Sequence, residues 1–172
     1  MIIVPTIRHS GSHFLVDLLG YDINKTLPWG QAHKATDDSL IFDHISPYKV
    51  DIMLPLIRDN LTVIPLRHPF VVAKSWIDRK KDLSELVAAW ETLVYEIDPL
   101  EPYYLPLDVE DRQDYLDELN IDTGRSMVTD WTPQGVVQNN SALRHKDVTP
   151  PAEIYALCKR IKPFLDGFYA SW

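Results

Sequence analysis

The segment TIRHSGSHFLVDLL, residues 6–19, contains the clearest indication of the fold. It follows an apolar run at residues 2–4, whose branched side chains predict a short strand. Within the segment, apolar residues recur at helical spacing from Phe14 to Leu19, and Gly20 ends the pattern. The chain therefore opens with a predicted strand, a polar loop and an amphipathic helix.

The same alternation of strands and helices continues along the chain. Further strands are predicted at residues 39–45, 60–66 and 103–107, and further helices at residues 69–80, 82–97, 108–122 and 149–161. Pro65 removes one backbone donor from the third strand, and Pro150 stands at the first position of the last helix. This alternation predicts a three-layer α/β sandwich with a central, mainly parallel sheet. We predict a single domain over residues 1–172.

Length and charge narrow the functional classes. With 172 residues and 45% apolar content, the chain is long enough for one well-buried domain. Its formal net charge of −8 argues against a nucleic-acid or membrane-surface partner. No stretch approaches the roughly 18 apolar residues of a membrane span, and the first residues lack the order of a signal peptide. We therefore predict a cytoplasmic protein.

The candidate metal ligands are poorly arranged for a metal site. Cys158 is the only cysteine, so the chain forms no internal disulfide and a thiolate site is disfavoured. Acidic residues crowd the segment 108–122, where they are better explained as the solvated face of a helix than as ligands. We predict no metal ion.

The loop at residues 8–13 has the composition of an anion-binding turn. The first backbone N–H groups of a helix are unpaired and carry partial positive charge, and Gly11 lets a ligand approach the backbone closely. Ser10 and Ser12 can donate hydroxyl hydrogen bonds or simply cap the helix. The loop lacks the lysine of the nucleotide-kinase pattern GxxxxGK[ST], which argues against ATP as the ligand.

A second candidate phosphate site lies in the segment LRHPFVVAKSW, residues 66–76. Arg67 ends a predicted strand, and Ser75 follows eight residues later on the next predicted helix. A guanidinium at a strand end and a hydroxyl on the adjoining helix can converge on one phosphate. An ordinary ion pair is the alternative interpretation of Arg67.

Together these segments resemble the sulfotransferases that use 3′-phosphoadenosine-5′-phosphosulfate (PAPS). In that family a Ser-Gly-Ser/Thr loop after the first strand binds the 5′-phosphosulfate, and HSGSH at residues 9–13 matches it. A later strand of the family ends in Arg-x-Pro, with a serine eight residues after the arginine, and holds the 3′-phosphate. Arg67, Pro69 and Ser75 match this spacing, and the resemblance covers residues 1–80 best. It implies a P-loop NTPase-like version of the predicted sandwich.

The resemblance implies sulfuryl transfer from PAPS to a hydroxyl or amine of a small-molecule or carbohydrate acceptor. The product nucleotide would be 3′-phosphoadenosine-5′-phosphate (PAP), and no metal would be needed. His44, at the end of the second predicted strand, occupies the position of the catalytic base. His9 departs from the family, which has lysine or arginine there, and we expect Arg8 to supply the missing charge.

The resemblance also implies a set of nucleotide-binding residues. These are Arg8, His9, Ser10, Gly11, Ser12, His13, Arg67 and Ser75, with Arg144 and Lys146 from a late basic segment. Two other functions compete with sulfuryl transfer: a P-loop kinase of a small molecule or nucleotide, and a nucleotide-binding module that has lost catalysis. The sequence leaves the acceptor and the oligomeric state open.

Overall fold

The computed structural model describes residues 1–109, 112–123 and 145–169. In this part of the chain, four strands form one parallel sheet in the order β2-β1-β3-β4. The strands are β1 (Ile2–Thr6), β2 (Leu40–His44), β3 (Leu61–Leu66) and β4 (Tyr103–Pro106). All four lie where the sequence predicts a strand.

Seven helices accompany the sheet in the described residues. They are α1 (Ser12–Leu18), α2 (Val50–Asp59), α3 (Pro69–Asp78), α4 (Leu83–Thr92), α5 (Arg112–Thr123), α6 (Ala152–Arg160) and α7 (Lys162–Leu165). Short 3-10 turns lie at Ile23–Lys25, Trp29–Lys34, Pro47–Lys49, Asp98–Leu100 and His145–Asp147, and a π-helical turn at Leu93–Ile97 extends α4. None of these helices is both long and apolar enough to cross a membrane.

Helices cover both faces of the sheet, because side chains of successive strand residues point to opposite sides. Ile2 and Val4 of β1 belong to a buried cluster with apolar residues of α1 and α5. Ile3, Ile41 and Ile64 belong to a second cluster with residues of α2, α3, α4, α6 and α7. The three-layer α/β sandwich with a parallel sheet is therefore confirmed.

The strand order has a switch point between β1 and β3. The chain leaves β1 through α1 on one face to reach β2, and returns through α2 on the other face to reach β3. The described ladder between β1 and β3 consists of the pairs Ile2↔Leu61 and Ile3↔Thr62. In sheets of this kind, ligands bind in the crevice beyond the carboxyl ends of the two strands at the switch point.

Pro65 is accommodated by this early end of the β1–β3 ladder. The carbonyl of Leu66 accepts a hydrogen bond from Leu107 N, on the side of β4. Backbone groups of adjacent strand residues point to alternate neighbours, so the nitrogen of Pro65 faces β1, beyond the last described pair. The donor that proline lacks is not needed there.

The acidic segment differs from its prediction. The described helix α5 begins at Arg112, whereas a helix was predicted from residue 108. Asp108 comes two residues after the end of β4 and is only 5% exposed. The prediction of a solvated helix face is therefore wrong for Asp108, because the end of β4 carries this residue into the interior.

Candidate functional site

The carboxyl ends of the four strands bring polar side chains to one edge of the sheet. His44 is the last residue of β2, and Arg67 follows the last residue of β3. Asp108 comes two residues after β4, and the loop 8–11 joins β1 to α1. Because the strands are parallel, all of these residues lie at the edge where the switch point opens.

The loop between β1 and α1 is a tight turn packed against the end of β3. Its turn closes with a hydrogen bond from Ser10 N to the carbonyl of Ile7 at 3.0 Å. Gly11 has φ of 96°, a left-handed conformation that favours glycine. A Cβ atom on Gly11 would overlap Leu107 and would lie 3.9 Å from Arg67 Nε. The sequence-predicted loop and Arg67 are therefore direct neighbours.

Gly11→Ala is expected to destabilise the protein by about 2–4 kcal/mol, because left-handed backbone and overlap with Leu107 both oppose the methyl group. Thermal and urea unfolding would measure this loss. Gly20→Ala is the matched control, since Gly20 has φ of 78° but no atom within 4 Å of an added Cβ. If the two variants lose equal stability, the packing of the loop against Leu107 has no energetic weight.

Two polar groups beside Gly11 are buried without a hydrogen-bond partner among the described residues. They are the hydroxyl of Ser10, a residue that is 1% exposed, and Nε of Arg67. Burial lowers the pKa of Arg67, and the negative charge of Asp108 partly offsets this effect. The described residues contain no carboxylate within 4.0 Å of the Arg67 guanidinium, so they do not support the ordinary ion pair that was the alternative interpretation.

Asp108 is held in place by neutral donors. His68 N donates to one carboxylate oxygen at 2.9 Å, and the Tyr169 hydroxyl donates to the other at 3.0 Å. Burial raises the pKa of Asp108, although these two hydrogen bonds and the charge of Arg67 act in the opposite direction. Asp108 thus supplies a buried negative charge near Arg67 while its own oxygens are already occupied.

His68 forms the back of this region. Its Nδ1 accepts a hydrogen bond from Phe70 N at 3.2 Å and so caps α3, and its ring stacks on His145 with centroids 4.7 Å apart. His68 is fully buried, and burial followed by the nearby His145 lowers its pKa to about 3. Neither His68 nor Tyr169 was predicted, because their roles depend on contacts distant in sequence; the His-Pro pair at the start of α3 was the available signal.

His44 lies beside β1, with its Nδ1 3.1 Å from the hydroxyl of Thr6. Burial, followed by the charge of Arg8, lowers the pKa of His44 to about 4. The carboxylate of Asp43 accepts hydrogen bonds from Lys49 Nζ at 3.0 Å and from the backbone of Trp29 and His44, rather than from the imidazole. An imidazole with so low a pKa is neutral at about pH 7 but is a poor general base.

His9 does not supply the positive charge that the family has at this position. Burial and the charges of Arg79, Arg8 and Lys81, in that order, lower its pKa, which favours the neutral ring. The ring makes an edge contact with Trp76, at 6.4 Å between centroids, and Trp76 Nε1 donates to the carbonyl of Arg8 at 3.1 Å. Arg79 and Lys81 are thus cations near the loop that sequence reasoning missed.

The remaining predicted residues are less closely associated with Arg67. Ser12 is buried at the start of α1, and His13 is exposed beside Phe42. Ser75 is half-buried on α3, where no hydrogen bond to Arg67 is described. Lys146 is exposed in the 3-10 turn that begins at His145.

Two further predictions concern the late basic segment and metal binding. Arg144 lies outside the described residues. Within those residues, no group of three or more histidine, cysteine or acidic side chains is arranged to hold a metal ion.

Comparison with known proteins gives little that resembles this chain. No protein-family model matches it, and no curated protein does. A solved structure titled "Crystal Structure of TesA" matches with 14% sequence identity and a TM-score of 0.31, over 98% of this chain and 100% of that chain. A likeness this low does not transfer the function of TesA.

These findings correct the predicted activity. Neither a family model nor a curated protein supports sulfuryl transfer, and the solved structure described above is titled TesA. We correct the predicted sulfuryl transfer and the predicted sulfotransferase class, and neither is proposed for this chain. The site agrees with this correction in physical terms. The lowered pKa of His44 makes it a poor base, and the lowered pKa of His9 disfavours the protonated ring that could stabilise a leaving oxygen. The catalytic roles expected of His44, His9 and Arg8 are therefore not retained.

Proposed function

We propose that this protein binds a phosphorylated ligand at the switch point, in a phosphate cradle formed by Ser10, Gly11 and Arg67. One observation carries the proposal: Ser10 Oγ and Arg67 Nε are buried and have no hydrogen-bond partner among the described residues. Both lie next to Gly11, whose backbone is in the left-handed conformation. Buried polar groups are normally satisfied, and exceptions mark places where a ligand or an ion completes the structure. A ligand that accepts hydrogen bonds from Ser10 Oγ and Arg67 Nε would satisfy both groups.

The charge of the cradle favours an anion over a neutral ligand. Arg67 is a permanent cation whose partial burial is unfavourable. The negative charge of Asp108 acts on Arg67, but both carboxylate oxygens of Asp108 are bound to neutral donors. A phosphate offers several acceptor oxygens and a matching charge, and guanidinium groups bind it with two hydrogen bonds. The ligand would therefore stabilise the folded protein by neutralising Arg67.

A nucleotide is the ligand class that we propose. The spacing of Arg67 and Ser75 matches the 3′-phosphate site of the family that the sequence resembles, and PAP and PAPS are the specific candidates that this resemblance suggests. The proposal concerns binding alone and assigns no reaction to the protein. It corresponds to the alternative of a nucleotide-binding module without catalysis.

Calorimetric titration with PAP tests the proposal. We expect micromolar binding to the native protein, and an affinity at least about tenfold lower for Arg67→Lys, which keeps the charge but loses the planar guanidinium. Ser10→Ala should also weaken binding, because it removes one donor from the cradle. Arg58→Ala is the matched control, since Arg58 is an exposed arginine in the last turn of α2.

Thermal unfolding of each variant would separate loss of binding from loss of fold. A bound nucleotide should raise the melting temperature of the native protein and of Arg58→Ala. The proposal is wrong if the native protein binds neither PAP nor AMP at millimolar concentration. It is also wrong if both cradle variants bind PAP as tightly as the native protein does. In either case the loop is a helix cap and Arg67 has a structural role.

A further inference from the structure

The cradle has a cationic neighbour at the end of α3. The residues Arg79, Lys80 and Lys81 follow α3 in a chain whose net charge is −8, and all three are exposed. Lys80 has φ of 53°, so the chain turns sharply here and α3 ends. Three consecutive positive charges therefore lie in the turn that ends α3.

Trp76 connects this turn to the loop that carries Ser10. Its carbonyl accepts hydrogen bonds from Arg79 N at 3.2 Å and from Lys81 N at 2.9 Å. Its indole Nε1 donates to the carbonyl of Arg8 at 3.1 Å. Because Trp76 is 3% exposed and fixed in the core, it holds both basic segments in a constant relation to each other. The effect of Arg79 and Lys81 on the pKa of His9 agrees with this closeness.

The acids next to these cations are already engaged elsewhere. Asp78 accepts hydrogen bonds from Lys74 Nζ at 3.1 and 3.4 Å, one turn earlier on the same helix. Asp82 accepts from Ser84 N at 2.9 Å and caps α4. Within the described part of the chain, Arg8, Arg79 and Lys81 form no ion pair. Like charges held close together without counter-charges repel one another, and an anion would relieve this repulsion.

We propose that Arg8, Arg79 and Lys81 form a second anion subsite, the basic cluster, and that the ligand places a second phosphate group there. This inference rests on the proposed function, because it assumes that the first phosphate lies in the cradle. It specifies the ligand class further as a nucleotide with two phosphate groups. The predicted role of Arg8 changes accordingly, from neutralising a leaving oxygen to binding a ligand phosphate.

Nucleotides with one and two phosphates distinguish the two subsites. AMP, ADP and PAP would be titrated into the native protein and into Arg79→Ala and Lys81→Ala. We expect each variant to bind ADP or PAP about tenfold more weakly, because a charge-assisted hydrogen bond is lost. The affinity for AMP, which occupies the cradle alone, should change less than about twofold.

Lys80→Ala is the internal control, because it removes the same charge from the same run without changing a residue of the basic cluster. It should leave the affinity for all three nucleotides within about twofold of the native value. The substitutions Arg79→Ala, Lys80→Ala and Lys81→Ala are all at exposed positions, so the three variants should fold normally.

These titrations distinguish an error in the second subsite from an error in the phosphate cradle. If Arg67→Lys weakens AMP binding but Arg79→Ala and Lys81→Ala leave ADP and PAP unaffected, the cradle is retained and the second subsite is rejected. Equal losses for AMP and the two-phosphate nucleotides would also reject it, since the cluster would then act only through general attraction. If the native protein binds no nucleotide, both proposals are wrong.

Discussion

Replacing Asp108 by alanine is expected to cost about 3–5 kcal/mol of unfolding free energy, because it leaves a buried charge without compensation. Arg67 would lose the negative charge that offsets its burial. His68 N and the Tyr169 hydroxyl would both lose the acceptor that they share. Urea unfolding would measure the loss, with Asp59→Ala as the control because Asp59 is exposed at the end of α2.

The double variant Asp108→Ala/Tyr169→Phe tests the cause of this loss. Removing the Tyr169 hydroxyl together with its acceptor leaves no unsatisfied donor at that position, so the two losses should not add. We expect the double variant to be about 1–2 kcal/mol more stable than the sum of the single losses predicts. Strict additivity would mean that the hydrogen bond has no energetic weight.

Acidification should destabilise the protein, largely through His68. Its pKa is about 3 in the folded chain, against 6.5 for an ordinary histidine. Between these values the unfolded chain binds a proton that the folded chain does not, so stability falls as the pH falls. At about pH 5 the cost of His68 is roughly 2 kcal/mol, or a fall of about 4–8 °C in melting temperature. His44, with a pKa of about 4, acts in the same direction.

His68→Asn isolates this contribution. Asparagine removes the titrating ring but keeps a side-chain oxygen that can cap α3. The variant should be less stable at neutral pH, since the stacking contact with His145 is lost, and its melting temperature should depend less steeply on pH. Asp108 has a raised pKa and so acts in the opposite sense, and this contribution remains in both proteins. If the melting temperature of His68→Asn depended on pH as steeply as that of the native protein, His68 would not be the source of the acid sensitivity.

The fold was predictable because its signals are local. A short window of sequence is enough to show the apolar pattern of a strand or the helical spacing after the first loop. Gly11 and Pro69 then mark turns between strands and helices. Once the sheet is known to be parallel, Ser10 and Arg67 must lie at the same edge. The local signals therefore place the two candidate phosphate-binding segments at one edge of the sheet without any knowledge of side-chain contacts.

The rest of the site depends on contacts that no short window contains. Asp108 was assigned to a solvated face because its neighbours are acidic, and only the position of β4 shows that it is buried. The pKa of His9 is lowered first by burial and then by nearby cations, of which Arg79 and Lys81 lie about seventy residues away in a different element. The predicted activity failed in the same way, since motif spacing does not reveal the protonation of His9 or His44.

The hydrogen bond between Tyr169 and Asp108 also has a consequence for biosynthesis. This hydrogen bond joins residues 61 positions apart in the sequence. Arg67 and the loop at Gly11 are synthesised well before Tyr169. During translation the amino-terminal strands emerge first, and contacts over long sequence separations form last. A nascent chain that has not yet reached Tyr169 therefore exposes Asp108 and the end of β3. Ligand affinity would appear only after Tyr169 has been made, so a ribosome-bound fragment that ends before Tyr169 should be nucleotide-free.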